Sequence, residues 1–292
     1  MLTDTREKSD LRPKEPPPPN GTSQSERDST AEILPQVANQ NVRPGQFWIF
    51  SKFSALLTLL VILGLWELVT ALALYPPYIL PAPFSVASRF VQVMGDGSLW
   101  RHTQTTLGEA GLGLGLAFLV AGALCYPISH SPLISTLLSP ILAATQAVPL
   151  VAIAPLLVIW FGFGLLPKVI TCAIIVFFPL LLNAVAGLKS VDKSLLEASA
   201  VFGASAWQTF WLVELPLSLP GMLTGIKIGV TLSITGAVVG EFISADSGLG
   251  YLLNLGRGQF DTALVFVALL TLTSIAMLAY GLVSLFERRL VD

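Results

Sequence analysis

The chain has 292 residues, of which 53% are hydrophobic and only 12% are charged, and its formal net charge is -2. Soluble domains average about 25% charged residues, so this composition excludes an ordinary soluble fold and indicates an integral membrane protein. The small net charge favours neither a nucleic-acid nor an acidic partner. Both cysteines, Cys125 and Cys172, lie in apolar runs and are interpreted as buried filler residues rather than a disulfide framework.

The first 46 residues differ from the rest of the chain. They contain seven prolines and many charges, but few large apolar residues and no apolar stretch typical of a signal peptide. Such a segment cannot bury enough apolar surface to offset the entropy lost on ordering. We therefore predict a disordered cytoplasmic tail over residues 1–46.

The remaining chain contains six apolar stretches that meet or approach the length of about 20 residues needed to cross a bilayer. They cover residues 53–74, 107–128, 141–161, 168–188, 219–242 and 263–286. We predict an all-α membrane fold with six transmembrane helices. The third helix is expected to be kinked, because it contains Pro149 and Pro155.

Two regions follow from this assignment. Residues 47–106 form the first span and an external connection, in which 84–94 are expected to make a short amphipathic helix. Residues 107–290 form the transmembrane core, with a polar connection at 189–218. The distribution of lysine and arginine between the connections predicts that both termini are cytoplasmic.

The connection at 189–218 is predicted to be a helix, a sharp turn and a second helix. Ser194 followed by Glu197 is typical of a capping box, and Gly203 is expected to end the first helix in the left-handed conformation. Ser205 is expected to cap the second helix, which Leu215 and Pro216 end before the fifth span. From these patterns alone, an ordinary helical hairpin at the membrane surface is an equal alternative to a functional one.

A gapped motif runs through this connection and resembles the EAA motif of ABC importer permeases, with Ser199 and Val213 as mild departures. Its positions are Glu197, Ala198, Ser199, Gly203, Val213, Leu215 and Pro216. Further segments, at 80–83, 160–164 and 248–251, resemble the branch that carries nitrate, sulfonates, taurine and thiamine precursors. The resemblance covers about residues 53–290 and implies the type I ABC importer transmembrane fold, with the motif residues coupling the membrane helices to an ATPase.

The resemblance implies a permease subunit that moves a small solute across the bacterial inner membrane by ATP-driven alternating access. A nitrate, sulfonate, taurine or related small anion is the expected solute, with a thiamine-precursor pyrimidine as the alternative. An ion-coupled secondary transporter is a less favoured alternative. The implied partners are two cytoplasmic ATP-binding subunits, a second copy of the permease and an external solute-binding protein.

The chain is not expected to be an enzyme or to bind a metal or cofactor itself. It contains no G-x-x-x-x-G-K-[ST] phosphate-binding loop, so ATP and magnesium are expected on the partner ATPase.

Polar residues within the predicted spans are candidates for function, because ionisable groups are costly in a bilayer. Glu67 and Lys227 are interpreted as structural, Glu109 is left open, and Glu241 is expected near the outer mouth. The candidates for the translocation pathway are Gln146, Thr231, Thr235 and Glu241.

The fifth span carries two stripes. A stripe of small residues predicts close packing against another helix, and it comprises Gly221, Gly225, Gly229, Ser233, Gly236 and Gly240. Thr224, Lys227, Thr231 and Thr235 form a second stripe. Its threonines either line the pathway or bond their own carbonyls one turn back.

Overall fold

The computed structural model describes the backbone of residues 44–147, 149–244 and 246–291, and most side chains from residue 57 onward. The tail predicted for residues 1–46 lies outside the described residues, apart from Pro44 and the two residues after it, which begin the first helix. The chain divides into two compact units, 1–59 and 60–292. Of the first unit only the part of this helix up to residue 59 is described, and the side-chain contacts given below all lie within the second.

Within the described residues all regular structure is helical, as predicted. The helices are α1 (Pro44–Ala71), α2 (Pro83–Gly95), α3 (Ser98–His130), α4 (Pro132–Ala147), α5 (Leu150–Phe161), α6 (Leu165–Lys189), α7 (Lys193–Val201), α8 (Ala206–Thr209), α9 (Leu215–Ser244), α10 (Leu249–Gly258) and α11 (Thr262–Val291). A π-helical segment, Phe210–Glu214, joins α8 to α9. The predicted amphipathic helix at 84–94 is confirmed as α2.

Four helices of the described chain are long and apolar enough to cross a membrane: α3, α6, the continuous helix Ala206–Ile243, and α11. Shorter apolar helices lie at Leu57–Ala71, Pro132–Ile141 and Val151–Phe161. The six-span prediction is compatible with this arrangement if α1 forms the first span and α4 with α5 form the third.

The third span differs from the single kinked helix predicted for 141–161. Helix α4 ends at Ala147, and α5 begins at Leu150 with Pro149 as the residue before it. Proline has no N–H to donate to the preceding turn, so the helix is interrupted at Pro149. Pro155, in contrast, lies inside α5 without ending it.

Helices α6 and α9 pack closely through the predicted stripe of small residues. A Cβ atom added at Gly236 would lie 2.8 Å from Cα of Cys172, and one added at Gly221 would lie 2.8 Å from Cα of Gly187. Helix α3 packs on α6 as well, where Gly113 leaves room for the Cys172 side chain. The stripe prediction is therefore confirmed. Helices α3, α6 and α9 pack closely enough to fix the positions of the buried polar side chains that they carry.

Candidate functional site

The connection after α6 forms the first part of the candidate site. We call residues 193–216 the coupling segment, after the role that the motif resemblance predicts for it. Helix α7 begins after Asp192, whose carboxylate accepts the amide N–H of Ser194 at 2.9 Å. The predicted capping box at Ser194 and Glu197 is therefore wrong. A carboxylate two residues earlier accepts the free amide at the helix start and places Ser194 inside the first turn.

The same hydrogen bond from Ser194 holds the pKa of Asp192 below its usual value. Because the pKa is lowered in the folded protein, the cap stabilises the fold above the unfolded-state pKa. Its contribution is lost only as the pH falls through the lowered value. The Asp192 cap is therefore fully ionised and present at neutral pH.

The turn between the two coupling helices agrees with the prediction. Gly203 has φ of +78°, in the left-handed region that glycine occupies without strain. The predicted Ser205 cap is confirmed, and Gln208 completes a capping box with it. Ser199, which replaces the alanine of the motif, lies 3.1 Å from the Thr209 hydroxyl and so connects α7 to α8.

The second coupling helix does not end at Leu215 and Pro216, contrary to the prediction. It continues through the π-helical segment into α9, so the part of the coupling segment after the Gly203 turn and the fifth span form one helix over Ala206–Ile243. Proline normally ends a helix because it lacks the N–H for the carbonyl four residues back. Here Leu215 already bonds Phe210, five residues back, so the hydrogen bonds have left the α-helical register before Pro216.

The coupling segment presents apolar side chains to its surroundings. Phe202 is 90% exposed, Trp207 70% and Leu212 74%. Of the motif residues, Glu197, Ala198, Gly203 and Pro216 are exposed, whereas Ser199, Val213 and Leu215 are half-buried. Exposed large apolar side chains are typical of surfaces that bind another protein or contact the membrane.

The opposite end of the bundle holds a buried polar group, which we call the outer cluster: Thr106 and Glu109 of α3, Lys168 of α6 and Glu241 of α9. Lys168 Nζ lies 2.6 Å from the Glu109 carboxylate, and both side chains are almost fully buried. Thr106 donates to the Glu241 carboxylate at 2.6 Å. The cluster therefore joins the three packed helices at the end of the bundle away from the coupling segment.

The outer cluster also holds the turn before α10. Gly250 donates its amide N–H to Glu241, and Leu249 donates to the Thr106 hydroxyl at 2.8 Å. Gly248 donates to Nδ1 of His102 at 2.9 Å. A Cβ atom at Gly248 would collide with the Glu241 carboxylate, so glycine is required there. Glu241 thus binds the backbone of a buried turn.

Sequence reasoning singled out Glu241 and Glu109 but missed their partners His102, Thr106 and Lys168. One signal was available for Lys168. Lys168 begins the fourth predicted span and Glu109 lies near the start of the second, and both spans run in the same direction, so the two opposite charges are expected at similar depth.

The remaining pathway candidates are separated from this cluster. Thr231 donates its hydroxyl to the Lys227 carbonyl at 3.0 Å, and Thr224 bonds the Pro220 carbonyl in the same way. Thr235 is exposed. The side chain of Gln146 lies outside the described residues. Their roles in a pathway stay predictions.

The ionisable residues interpreted as structural also have defined places. Lys227 forms an ion pair with Glu287 of α11, and Glu67 is exposed on α1.

The fold and the site together define a multi-pass membrane protein in which a surface helical segment continues directly into a span. Residues 113–292 match the family described as the binding-protein-dependent transport system inner membrane component. Since this match covers more than half of the chain, the chain belongs to that family. It is a membrane permease subunit of an ABC importer in the inner membrane, and it does not itself catalyse a reaction.

Two relatives and one solved structure illustrate the similarity. The riboflavin transport system permease protein RibX of Chloroflexus aurantiacus is 46% identical over 80% of this chain and 87% of its own length. The taurine transport system permease protein TauC of Escherichia coli K12 is 34% identical over 80% of this chain and 86% of its own. An inward-facing MetNI methionine ABC transporter matches with a TM-score of 0.57 over 66% of this chain and 96% of that one. At 19% identity, this match shows the fold alone.

Proposed function

We propose that this permease imports an uncharged heteroaromatic solute of the flavin class by ATP-driven alternating access. The observation that carries the proposal is the 46% identity to a riboflavin permease over most of both chains. The 34% identity to a taurine permease supports the expected small anion less strongly.

The charges within the spans favour an uncharged solute. Lys168 and Lys227 lie within described spans with side chains only 6% and 15% exposed, and each is paired with a glutamate. A sulfonate or nitrate entering the bundle would have to displace a carboxylate to reach either ammonium group. An uncharged ring system needs no such exchange, because aromatic and amide contacts suffice to bind it.

The coupling segment is proposed to bind the ATP-hydrolysing partner. Its exposed apolar residues Phe202, Trp207 and Leu212 supply a surface suited to a groove on another protein. ATP-driven closure of two such partners would move the segment, and with it α9, to which it is continuous. The proposed assembly contains two copies of this permease, two ATP-binding subunits and an external solute-binding protein.

The proposed assembly implies an orientation of the permease in the membrane. The coupling segment lies on the cytoplasmic side, where ATP is available, and the outer cluster faces the solute-binding protein. With six spans, both termini are cytoplasmic.

The substrate proposal is tested by uptake of radiolabelled riboflavin. Bacteria that lack their own flavin uptake express this chain with its ATP-binding and solute-binding partners. We expect ATP-dependent uptake that unlabelled riboflavin abolishes and that excess taurine or nitrate leaves unchanged. Competition by taurine, nitrate or a thiamine-precursor pyrimidine would assign the permease to that solute instead. Uptake that persists without ATP but collapses with the ion gradient would favour a secondary transporter.

A further inference from the structure

We propose that the contact between His130 and Glu214 is a positioning contact through which the coupling segment moves α3 together with α9. The proposal rests on the proposed role of the coupling segment. Helix α9 is continuous with that segment, but α3 is not, since 84 residues separate His130 from Glu214. Motion of the segment reaches α3 only through non-covalent contacts.

Glu214 is placed to provide such a contact. It lies in the π-helical segment between α8 and α9, and its side chain is only 6% exposed. Its carboxylate oxygens lie 3.0 and 3.1 Å from Nε2 of His130. The carboxylate is therefore held against the last residue of α3.

The imidazole of His130 is held in turn by its own helix. Its ring stacks on Tyr126 with centroids 4.2 Å apart, and Nδ1 lies 3.0 Å from the Ser129 hydroxyl and 3.1 Å from the Tyr126 carbonyl. The Tyr126 ring meets Phe210 of the π-helical segment edge-on at 5.1 Å. A polar and an aromatic contact thus join the end of α3 to the same five-residue segment.

The local geometry indicates function rather than stability. Burying a carboxylate such as that of Glu214 is unfavourable unless its partners compensate for the lost water, and well-packed apolar residues are often at least as stable in such a place. The π-helical segment departs from the regular α-helix at the same place, and such bulges occur frequently at functional sites. The buried Glu214 carboxylate and the π-helical segment both lie at the junction of the coupling segment and the membrane helices. Both unfavourable features are explained if the contact between His130 and Glu214 transmits motion.

The test measures whether α3 follows the coupling segment. Spin labels are placed at Ala206→Cys on α8 and Leu119→Cys on α3, both exposed, in a chain carrying Cys125→Ala and Cys172→Ala. The full transporter with its ATP-binding partner is reconstituted in nanodiscs, with unlabelled copies in excess so that most complexes carry one labelled chain. The distance between the labels is measured before and after trapping with ATP and vanadate.

We expect trapping to leave this distance unchanged in the otherwise unmutated chain, because both labels move together. In His130→Ala and in Glu214→Ala the distance should shift on trapping by up to about 5 Å, the order of one helical turn. The double variant should shift no further than either single variant, because the two residues act as one unit.

Lys189→Ala is the matched control. It removes a contact at the same end of the bundle, from Lys189 Nζ to the Ser135 hydroxyl at 3.1 Å, but one that does not involve the coupling segment. The control should behave as the unmutated chain. An unchanged distance in both His130→Ala and Glu214→Ala would overturn the proposal, as would an equal shift in the control.

Two features keep the result decisive. If Glu214→Ala does not assemble, His130→Ala decides alone, because the His130 side chain is already 37% exposed and its loss leaves the fold less disturbed. The readout needs ATP but no solute, so failure of flavin uptake would refute the substrate proposal without affecting this test. Failure of the ATPase to bind the unmutated chain would refute the role of the coupling segment itself.

Discussion

Glu109 of α3 and Lys168 of α6 form an ion pair whose side chains are 2% and 6% exposed. Removing one partner leaves a buried charge without compensation, which typically costs about 3–5 kcal/mol. We therefore expect Lys168→Met to lower the midpoint of thermal unfolding in detergent markedly. Glu109→Gln combined with Lys168→Met should recover part of the loss.

Lys227→Met provides the control for that prediction. Its pair with Glu287 is less deeply buried, with side chains 15% and 22% exposed, so breaking it should destabilise the fold less than breaking the Glu109–Lys168 pair. A Lys168→Met variant no less stable than Lys227→Met would show that the outer cluster does not hold the bundle together.

The sequence identifies the two glutamates of the outer cluster better than their partners. Glu109 and Glu241 stand out because charged residues are rare in apolar stretches. Thr106 and His102 do not, since a threonine or histidine near a span end fits many environments. Their hydrogen bonds join residues 135 to 146 positions apart, so only the packing of α3 against α9 and the turn before α10 reveals them.

At the scale of elements, the coupling segment depends on the turn at Gly203. A β-branched residue at φ of +78° is strained, so Gly203→Val should displace α7 relative to α8. We expect the variant to reach the membrane but to lose most of its co-purification with the ATP-binding partner. Quantitative pull-down from solubilised membranes measures this loss.

Gly162→Val is the control, because Gly162 also has φ of +78°, with ψ of -177° that is at least as unfavourable for valine, but lies at the end of α5, away from the coupling segment. If Gly162→Val and Gly203→Val lose co-purified ATP-binding partner equally, the loss reflects general misfolding rather than a role of the Gly203 turn.

The packing of α6 on α9 permits a second prediction at this scale. Gly236→Leu should separate the two helices, since even its Cβ atom would lie 2.8 Å from the backbone of Cys172. We expect a lower unfolding midpoint and poor yield in detergent. Gly281→Leu on α11, where nothing lies within 4 Å of the added Cβ, should leave both unchanged.

The boundaries of the elements were predicted less well than their existence. The glycine turn and the Ser205 cap were predictable because each follows from a single residue type at a fixed position. The start of α7 was assigned to Ser194 because Ser194 and Glu197 have the spacing of a capping box, whereas Asp192, two residues earlier, is the cap in the structure. The continuation through Pro216 was missed because a π-helical register leaves no distinctive pattern in the sequence.

At the scale of the whole molecule, hydropathy predicted the apolar spans. The resemblance to ABC importer permeases predicted that these spans transport a solute. The interruption of the third span at Pro149 was expected only as a kink, since proline alone does not distinguish a bend from a break. The solute was the least predictable property. It depends on pathway side chains and on a separate binding protein, and the spacing of the coupling motif carries no information about either.

The most direct test of the account is whether the exposed face of the coupling segment binds the ATPase. Phe202→Asp combined with Trp207→Asp places charges on that face, and Phe163→Asp is the control, since Phe163 is 83% exposed at the opposite end of the bundle. Co-purification of the ATP-binding subunit and ATP-driven riboflavin uptake are measured together. The account predicts that the double variant loses both and that the control keeps both. Full ATPase binding and uptake in the double variant would contradict it.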